Sequence, residues 1–286
     1  MRIHFLALLG LGLAAPALAE TPLESAIVLY RDQKLSEART ALQKITVDEP
    51  TNAEACYYYG MTLRHRGDER ALDDALPWLE KAVQLQPENA VYLADYGGTS
   101  LQFARVHRSL SAATKGRDAM EKSLLKNPGN LDTREGLYQF YTQAPWPLGS
   151  SSKAQIHLGE ITKRNPDRGI LIGIQAKTDA KKYDEAFQLC EGILAKKPDD
   201  YIALYQYGRT VSASGKNLER GLACLQKCIN LTPPGPSSPQ PTHAWFRIGT
   251  LQEKLGRPAD ARAAYETALK LDATNKGAAD ALAKLK

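Results

Sequence analysis

The chain has 286 residues, 43% of them hydrophobic and 24% charged, with a formal net charge of +5. That length serves one large or two ordinary domains, and the balance is that of a folded globular chain, which excludes disordered and fibrous classes. The charge is small and its signs are interspersed, which argues against a nucleic-acid partner. Thirteen Tyr against five Phe and three Trp favour aromatic side chains with a polar tip, suited to surfaces that are both wet and adhesive.

The first twenty residues, M-R-I-H-F-L-A-L-L-G-L-G-L-A-A-P-A-L-A-E, have the layout of a secretion signal over 1–19. Arg2 supplies the positive end, Phe5 to Ala15 the apolar core, and Ala17-Leu18-Ala19 a small-x-small cleavage site. The apolar run is too short for a comfortable membrane span, and no later segment reaches the ~18 apolar residues that a span needs. No Cys follows Ala19, so the acceptor of a lipid anchor is missing. The expectation is a soluble exported protein, periplasmic or secreted. Cleavage would remove one charged residue, Arg2, leaving 36 − 32 = +4.

From residue 20 onward the chain repeats itself. Small residues at Ala38, Ala75, Gly116, Ala154, Ala186 and Gly221 are each followed twelve residues later by a proline: Pro50, Pro87, Pro128, Pro166, Pro198 and Pro233. Eight before each proline stands Leu42, Leu79, Met120, Leu158, Cys190 or Leu225. Ten after the first five prolines come Gly60, Gly97, Tyr138, Ala176 and Gly208. The register predicts helix–turn–helix units over 20–51, 52–88, 89–129, 130–167, 168–199, 200–234 and 242–275. Small residues let two helices approach, and proline stops the second because it has no N–H to continue the ladder. A Pro-rich linker lies over 235–241, within P-P-G-P-S-S-P-Q-P, and is expected to be extended.

In the last unit Trp245, Ile248 and Gly249 share one helix, Gly256-Arg257-Pro258 breaks it, and Ala261, Tyr265 and Ala268 share a second. The Ala-rich end, Gly277 to Lys286, predicts a short capping helix with Lys276, Lys284 and Lys286 exposed. This pattern resembles the tetratricopeptide repeat (TPR), a helix–turn–helix unit of 34 residues. The resemblance implies an all-α, right-handed solenoid of about seven repeats closed by that helix, because one unit cannot bury its apolar face alone.

The spacing inside the units varies. Gly249 to Ala261 is twelve residues, whereas Gly60 to Ala75 is fifteen, Gly97 to Gly116 nineteen, Tyr138 to Ala154 sixteen and Ala176 to Ala186 ten. Insertions are therefore expected in the intra-unit turns of units two to four, building a lobe on one edge.

Ser150-x-x-Lys153, inside A-P-W-P-L-G-S-S-S-K-A, matches the spacing of a serine nucleophile and its lysine base. No Ser-Asp-Asn or Lys-Thr-Gly accompanies it, and the repeat register resumes at Ala154, so a turn is the better account. Ser151 or Ser152 would cap the helix that follows. Trp146 is expected to tuck back on the helix pair; an exposed Trp there would be a contact point. His65, His107, His157 and His243 form no local ligand pair, and no cofactor or metal is expected. Cys56, Cys190, Cys224 and Cys228 read as small buried residues. Bridging Cys224 to Cys228 along one helix is awkward, while a long-range pair such as Cys190 with Cys224 stays open.

What remains is surface. The resemblance implies that the first helices of the units line a concave face, with Tyr30, Tyr57, Tyr58, Met61, Arg64, Gln139, Tyr205, Arg209, Phe246 and Arg247 as candidate contacts. Tyr and Arg are favoured interface anchors, although such tyrosines also serve as packing between helices. TPR domains that clamp a terminal carboxylate place Lys and Asn on a first helix, where Leu23 and Ile27 stand here. The reading is a non-enzymatic exported scaffold that binds a protein or peptide, with a glycan-binding module as the alternative and a Ser150/Lys153 hydrolase as a more distant one.

Overall fold

The computed structural model describes residues 21–235 and 238–285. The signal-like segment over 1–19 and the terminal Lys286 lie outside the described residues. Among those residues the chain is all-helical, with fifteen helices. It divides into two compact units, Met1–Ser150 and Ser151–Lys286, so the division falls at the end of the turn in the fourth repeat.

The first unit holds α1 (Pro22–Arg31), α2 (Leu35–Asp48), α3 (Ala53–Arg64), α4 (Ala71–Leu85), α5 (Ala90–His107), α6 (Leu110–Lys126) and α7 (Leu131–Gln143). The second holds α8 (Ser151–Arg164), α9 (Pro166–Asp179), α10 (Tyr183–Leu194), α11 (Tyr201–Ser214), α12 (Leu218–Ile229), α13 (Pro241–Lys254), α14 (Pro258–Leu271) and α15 (Lys276–Lys284). Three connections share one design, Glu49-Pro50-Thr51-Asn52, Gln86-Pro87-Glu88-Asn89 and Asn127-Pro128-Gly129-Asn130. The proline follows the end of one helix, and the Asn side chain caps the next by accepting N–H groups of its first turn, as Asn89 does from Val91 and Tyr92.

Within a pair, a glycine on the first helix faces a large residue on the second. A Cβ on Gly60 would lie 2.9 Å from Leu79, on Gly97 2.5 Å from Met120, on Gly208 2.3 Å from Leu225, and on Gly249 2.4 Å from the Tyr265 ring. Those partners are all buried. In the α9–α10 pair the sizes are exchanged: Ile174, twelve residues before Ala186, and Cys190 are both fully buried in one core. Ala176 is only half-buried, so the interval of ten was counted from the wrong residue. The turn Ala180–Lys182 is as long as Leu255–Arg257 in the last pair. The shortening lies instead between α8 and α9, where a single residue, Asn165, joins the helices and Pro166 opens the second. Gly169 makes that junction possible, since a Cβ there would fall 2.6 Å from the Thr162 Cα.

The expected lobe of lengthened turns is partly corrected. The extra residues of unit two do lie in a turn, 65–70, and those of unit four in 144–150. Those of unit three do not. α5 runs ten residues past Gly97 where α13 runs five past Gly249, and α6 begins six before Gly116 where α14 begins three before Ala261. Only Arg108 and Ser109 separate α5 from α6, with Arg108 left-handed at φ 54° and Ser109 capping Ala112 N–H. A two-residue reversal leaves each helix about one turn longer than its counterpart.

The turn 144–150 closes on itself: Leu148 and Gly149 N–H donate to Pro145 O, and Ser150 N–H donates to Tyr141 O at 2.9 Å. A Cβ on Gly149 would lie 2.1 Å from Ala144 O. Trp146 does not tuck back. It is 90% exposed, because the prolines on either side and this tight closure aim the indole outward. α8 begins at Ser151, so Ser151 and Ser152 stand in its first turn rather than ahead of it. The segment between α12 and α13 is non-helical where described, and Tyr201 OH donates to Pro239 O. α15 closes the second unit with Asn275 accepting Ala278 N–H, Ala278 buried, and Lys276 and Lys284 exposed.

Gly249→Ala should lower thermal stability, because the added methyl overpacks a buried ring at about 1–3 kcal/mol, less the ~1 kcal/mol of helix propensity that alanine gains. Gly98→Ala, with nothing within 4 Å of its Cβ, should raise it by up to about 1 kcal/mol. Circular-dichroism melts of the two variants beside the parent check both signs.

Candidate functional site

The first helices of successive pairs are tied by polar side chains. In the first unit Tyr57, three residues before Gly60, donates its hydroxyl to Asp95 Oδ2 at 2.7 Å. Asp95 stands two residues before Gly97 on the next first helix. Arg64 approaches the other oxygen of that carboxylate at 3.6 Å. Around this link sit four tyrosines: Tyr57 and Tyr92 stack at 4.5 Å, while Tyr58 meets Tyr57 at 5.0 Å and Tyr30 at 5.3 Å edge-on. His65 caps α3, its Nδ1 2.7 Å from Met61 O, and lies against Tyr30. Burial, and then the Asp95 carboxylate, push the Tyr57 hydroxyl far above its ordinary value, so it is a fixed donor.

In the second unit the same two places meet with the opposite charge. Tyr205, three before Gly208, accepts a hydrogen bond from Arg247 Nε at 3.0 Å, and the Arg247 guanidinium lies 5.4 Å from that ring centre. Arg247 is two before Gly249. Arg209 donates to Asp179 Oδ1 at 2.7 Å, tying α11 to α9 beside a buried Thr178–Thr210 hydroxyl pair. Each tie engages a long polar side chain between two first helices of the same compact unit.

The ten candidate residues divide into three groups. Tyr57, Met61 and Tyr205 are buried, at 8%, 7% and 6% exposure, and act as supports. Tyr30, Tyr58, Arg64, Arg209 and Arg247 are half-buried, and Gln139 is exposed with its amide 3.3 Å from Glu135. Phe246 packs elsewhere: its ring joins the core of Ala261, Tyr265, Ala268 and Ala278, with Gly277 of α15 beside it. The sequence reading missed Tyr92, Asp95 and Asp179. The place two before each glycine, filled by Tyr58, Asp95, Gln206 and Arg247, was the available signal for Asp95.

Ser150 closes the turn and Lys153 belongs to the first turn of α8. Among the described residues no group of three or more His, Cys, Asp or Glu is placed to hold a metal ion, and no helix is long and apolar enough to cross a membrane. The four cysteines are free thiols, all buried. Burial pushes Cys190 up to about 12 and Cys228 up to about 11, and raises Cys56 and Cys224.

Tetratricopeptide-repeat family models match residues 23–90 and 242–275. A tetratricopeptide repeat protein from Parabacteroides merdae superposes with a TM-score of 0.69 at 16% identity, covering 92% of this chain and 96% of that one. Yeast Tom70 gives 0.67 at 14% identity over 98% of this chain, which spans 59% of Tom70. The human IFIT1 dimer with m7Gppp-AAAA gives 0.58 at 19% identity, covering 93% of this chain and 63% of that one. At such identities the likeness is one of fold. No curated protein sequence matches the chain. With the repeated helix pairs and the two family matches, the chain is a tetratricopeptide-repeat protein, of the all-α class built from stacked helix–turn–helix units. That fold is one of protein-interaction scaffolds.

The thiols give a direct check on the packing. At pH 8 the native protein should leave all four unreactive toward a chromogenic disulfide reagent and expose all four in denaturant. Unfolded thiols ionise near ~8.5 while the folded ones keep their protons. Stability should therefore be full below about pH 8 and fall as pH rises beyond it, seen as a lower urea midpoint at pH 10 than at pH 7.

Proposed function

We propose that the protein is an exported adaptor that holds a peptide or protein segment against the face that the first helices present within a compact unit, as part of a cell-envelope assembly. Export rests on the signal-like sequence over 1–19. The observation that carries the binding reading is the set of cross-helix ties, Tyr57–Asp95–Arg64 and Tyr205–Arg247. They fix half-exposed aromatic and guanidinium groups in advance, which lowers the ordering cost of binding. Tyr and Arg held in this way are the residue types that dominate protein interfaces.

A peptide suits this face better than a sugar ring. Stacking a sugar needs an open aromatic face, whereas Tyr57 and Tyr92 are buried against each other and Tyr58 meets its neighbours edge-on. Hydrogen-bonding edges and a paired Arg–carboxylate are what remain accessible, and these match a backbone and its side chains.

Crosslinking in cells from a photoreactive residue at position 58, followed by mass spectrometry, should capture a protein. Recovery of peptidoglycan fragments without protein would refute the adaptor reading. With the captured partner, Tyr30→Ala with Tyr58→Ala should weaken binding at least tenfold with helical circular dichroism unchanged. Tyr57→Ala and Tyr205→Ala are poorer probes, because both rings are buried supports and their loss should lower the melting temperature as well.

A further inference from the structure

The tyrosine ties of the two units differ in one respect: the first is closed by a carboxylate and the second is not. Between α3 and α5 the Tyr57 hydroxyl donates to Asp95 Oδ2 at 2.7 Å, and Arg64 meets the other oxygen at 3.6 Å. Between α11 and α13 the place of Asp95 is taken by Arg247, so Tyr205 meets a guanidinium where Tyr57 meets a carboxylate. Arg247 Nε donates to the Tyr205 hydroxyl at 3.0 Å, and the guanidinium lies over that ring. Its two Nη groups reach no carboxylate among the described residues, and the Tyr205 hydroxyl hydrogen finds no acceptor among them.

Neighbouring charges leave that gap open. Arg209, one turn further along α11, already has Asp179 at 2.7 Å. α11 carries no acid, and the one acid of α13, Glu253, accepts from Tyr265. On α12 the one acid, Glu219, holds Arg257. Of the three candidate arginines, Arg64 and Arg209 therefore have carboxylates and Arg247 has none among the described residues. Arg247 is half-buried, so an opposite charge is felt there more strongly than in open water. Ile202, Tyr205, Arg209 and Ser212 lie on one side of α11 by their spacing. Ile202, Arg209 and Ser212 are half-buried, so contact surface continues on both sides of Tyr205.

We propose that the second unit takes an acidic peptide segment, an internal Asp or Glu of which accepts from the Arg247 Nη groups and the Tyr205 hydroxyl. This rests on the peptide-binding reading and names what the peptide must carry. The two oxygens of a carboxylate match the parallel N–H donors of a guanidinium fork. Bonding of Nε to Tyr205, with the ring beneath, orients that fork in advance and lowers the ordering cost of contact. Tyr57, Asp95 and Arg64 show within the same chain that tyrosine and arginine converge on a carboxylate. A phosphate dianion would call for a second cation, and Arg209 is already engaged by Asp179. The carboxylate belongs to a side chain rather than a chain end, because the α11 stripe gives a segment contacts on both sides of Tyr205.

The test selects short random peptides, displayed with both ends tethered, on the purified protein. The selected peptides should share an Asp or Glu. Exchanging that residue for Asn or Gln should weaken binding roughly tenfold, as should Arg247→Gln. The two changes together should weaken it little more than either alone, since both remove one pairing. Tyr205→Phe keeps the buried ring, so it should weaken the same peptides while melting close to the parent. Arg247→Glu should lose the acidic peptides and gain those with Lys at that place. Selected peptides without an acid, or acidic ones indifferent to Arg247→Gln, would overturn the proposal and leave the peptide-binding reading standing. A selection that returns no peptide would overturn both. Stronger binding of peptides displayed with a free C-terminus would overturn the side-chain assignment and give the site to a chain end.

Discussion

Five helix pairs, α3–α4, α5–α6, α9–α10, α11–α12 and α13–α14, depend on how closely their two helices approach, and in each the approach is set by one facing pair of residues. Where the first helix carries glycine, the second brings Leu79, Met120, Leu225 or Tyr265 into the space a Cβ would fill. Each large side chain is thereby buried against backbone, where dispersion contacts are dense. The α9–α10 pair meets the same requirement with Ile174 and Cys190, so the combined volume of the two residues is constrained rather than glycine as such. Without this approach neither helix could share its apolar face with the next pair.

Close pairing has a consequence for the exposed face. Once the glycine fixes the first helix, the residues three and two places before it are fixed as well, and they meet across successive pairs. Tyr57 meets Asp95 in the first unit and Tyr205 meets Arg247 in the second. One geometry therefore presents a carboxylate in one unit and a guanidinium in the other. The same place therefore carries opposite charge in the two units. The buried tyrosines position the half-exposed groups, and that separates residues that hold the surface from those that form it.

Insertions show a different freedom. Residues added beyond the glycine do not disturb the tight contact, so the chain can spend them in either of two ways. Around 65–70 and 144–150 they became turns, while in unit three they became helix. The segment Leu101 to Ala113 has no proline and no glycine, and its Ser109 caps the new helix start. By contrast Gly67 and the prolines at 145 and 147 interrupt the others. In both outcomes the added residues reach solvent, and there exposed Val106, Leu110 and Trp146 lie beyond the shared core.

The sequence by itself determined the repeat: the twelve-residue spacing to each proline, the all-α class and the positions of the small residues follow from local chemistry that each unit repeats. It also placed Tyr57, Arg64, Tyr205 and Arg247 on first helices, since their offsets from the glycines are legible. It did not reveal that Tyr57 and Tyr205 are supports while Tyr58 remains half-exposed, nor that Phe246 turns to the cap, because burial depends on what the neighbouring pair brings. The misplaced interval of ten had the same origin, since Ile174 and Cys190 reverse the sizes that a pattern of small residues looks for. Only tertiary structure decided where Trp146 points, whether an insertion winds into helix, and which polar tips meet across 38 or 42 residues of chain. Local rules specify each helix and its ends, while contact between neighbouring helix pairs selects among side-chain positions that those rules leave open.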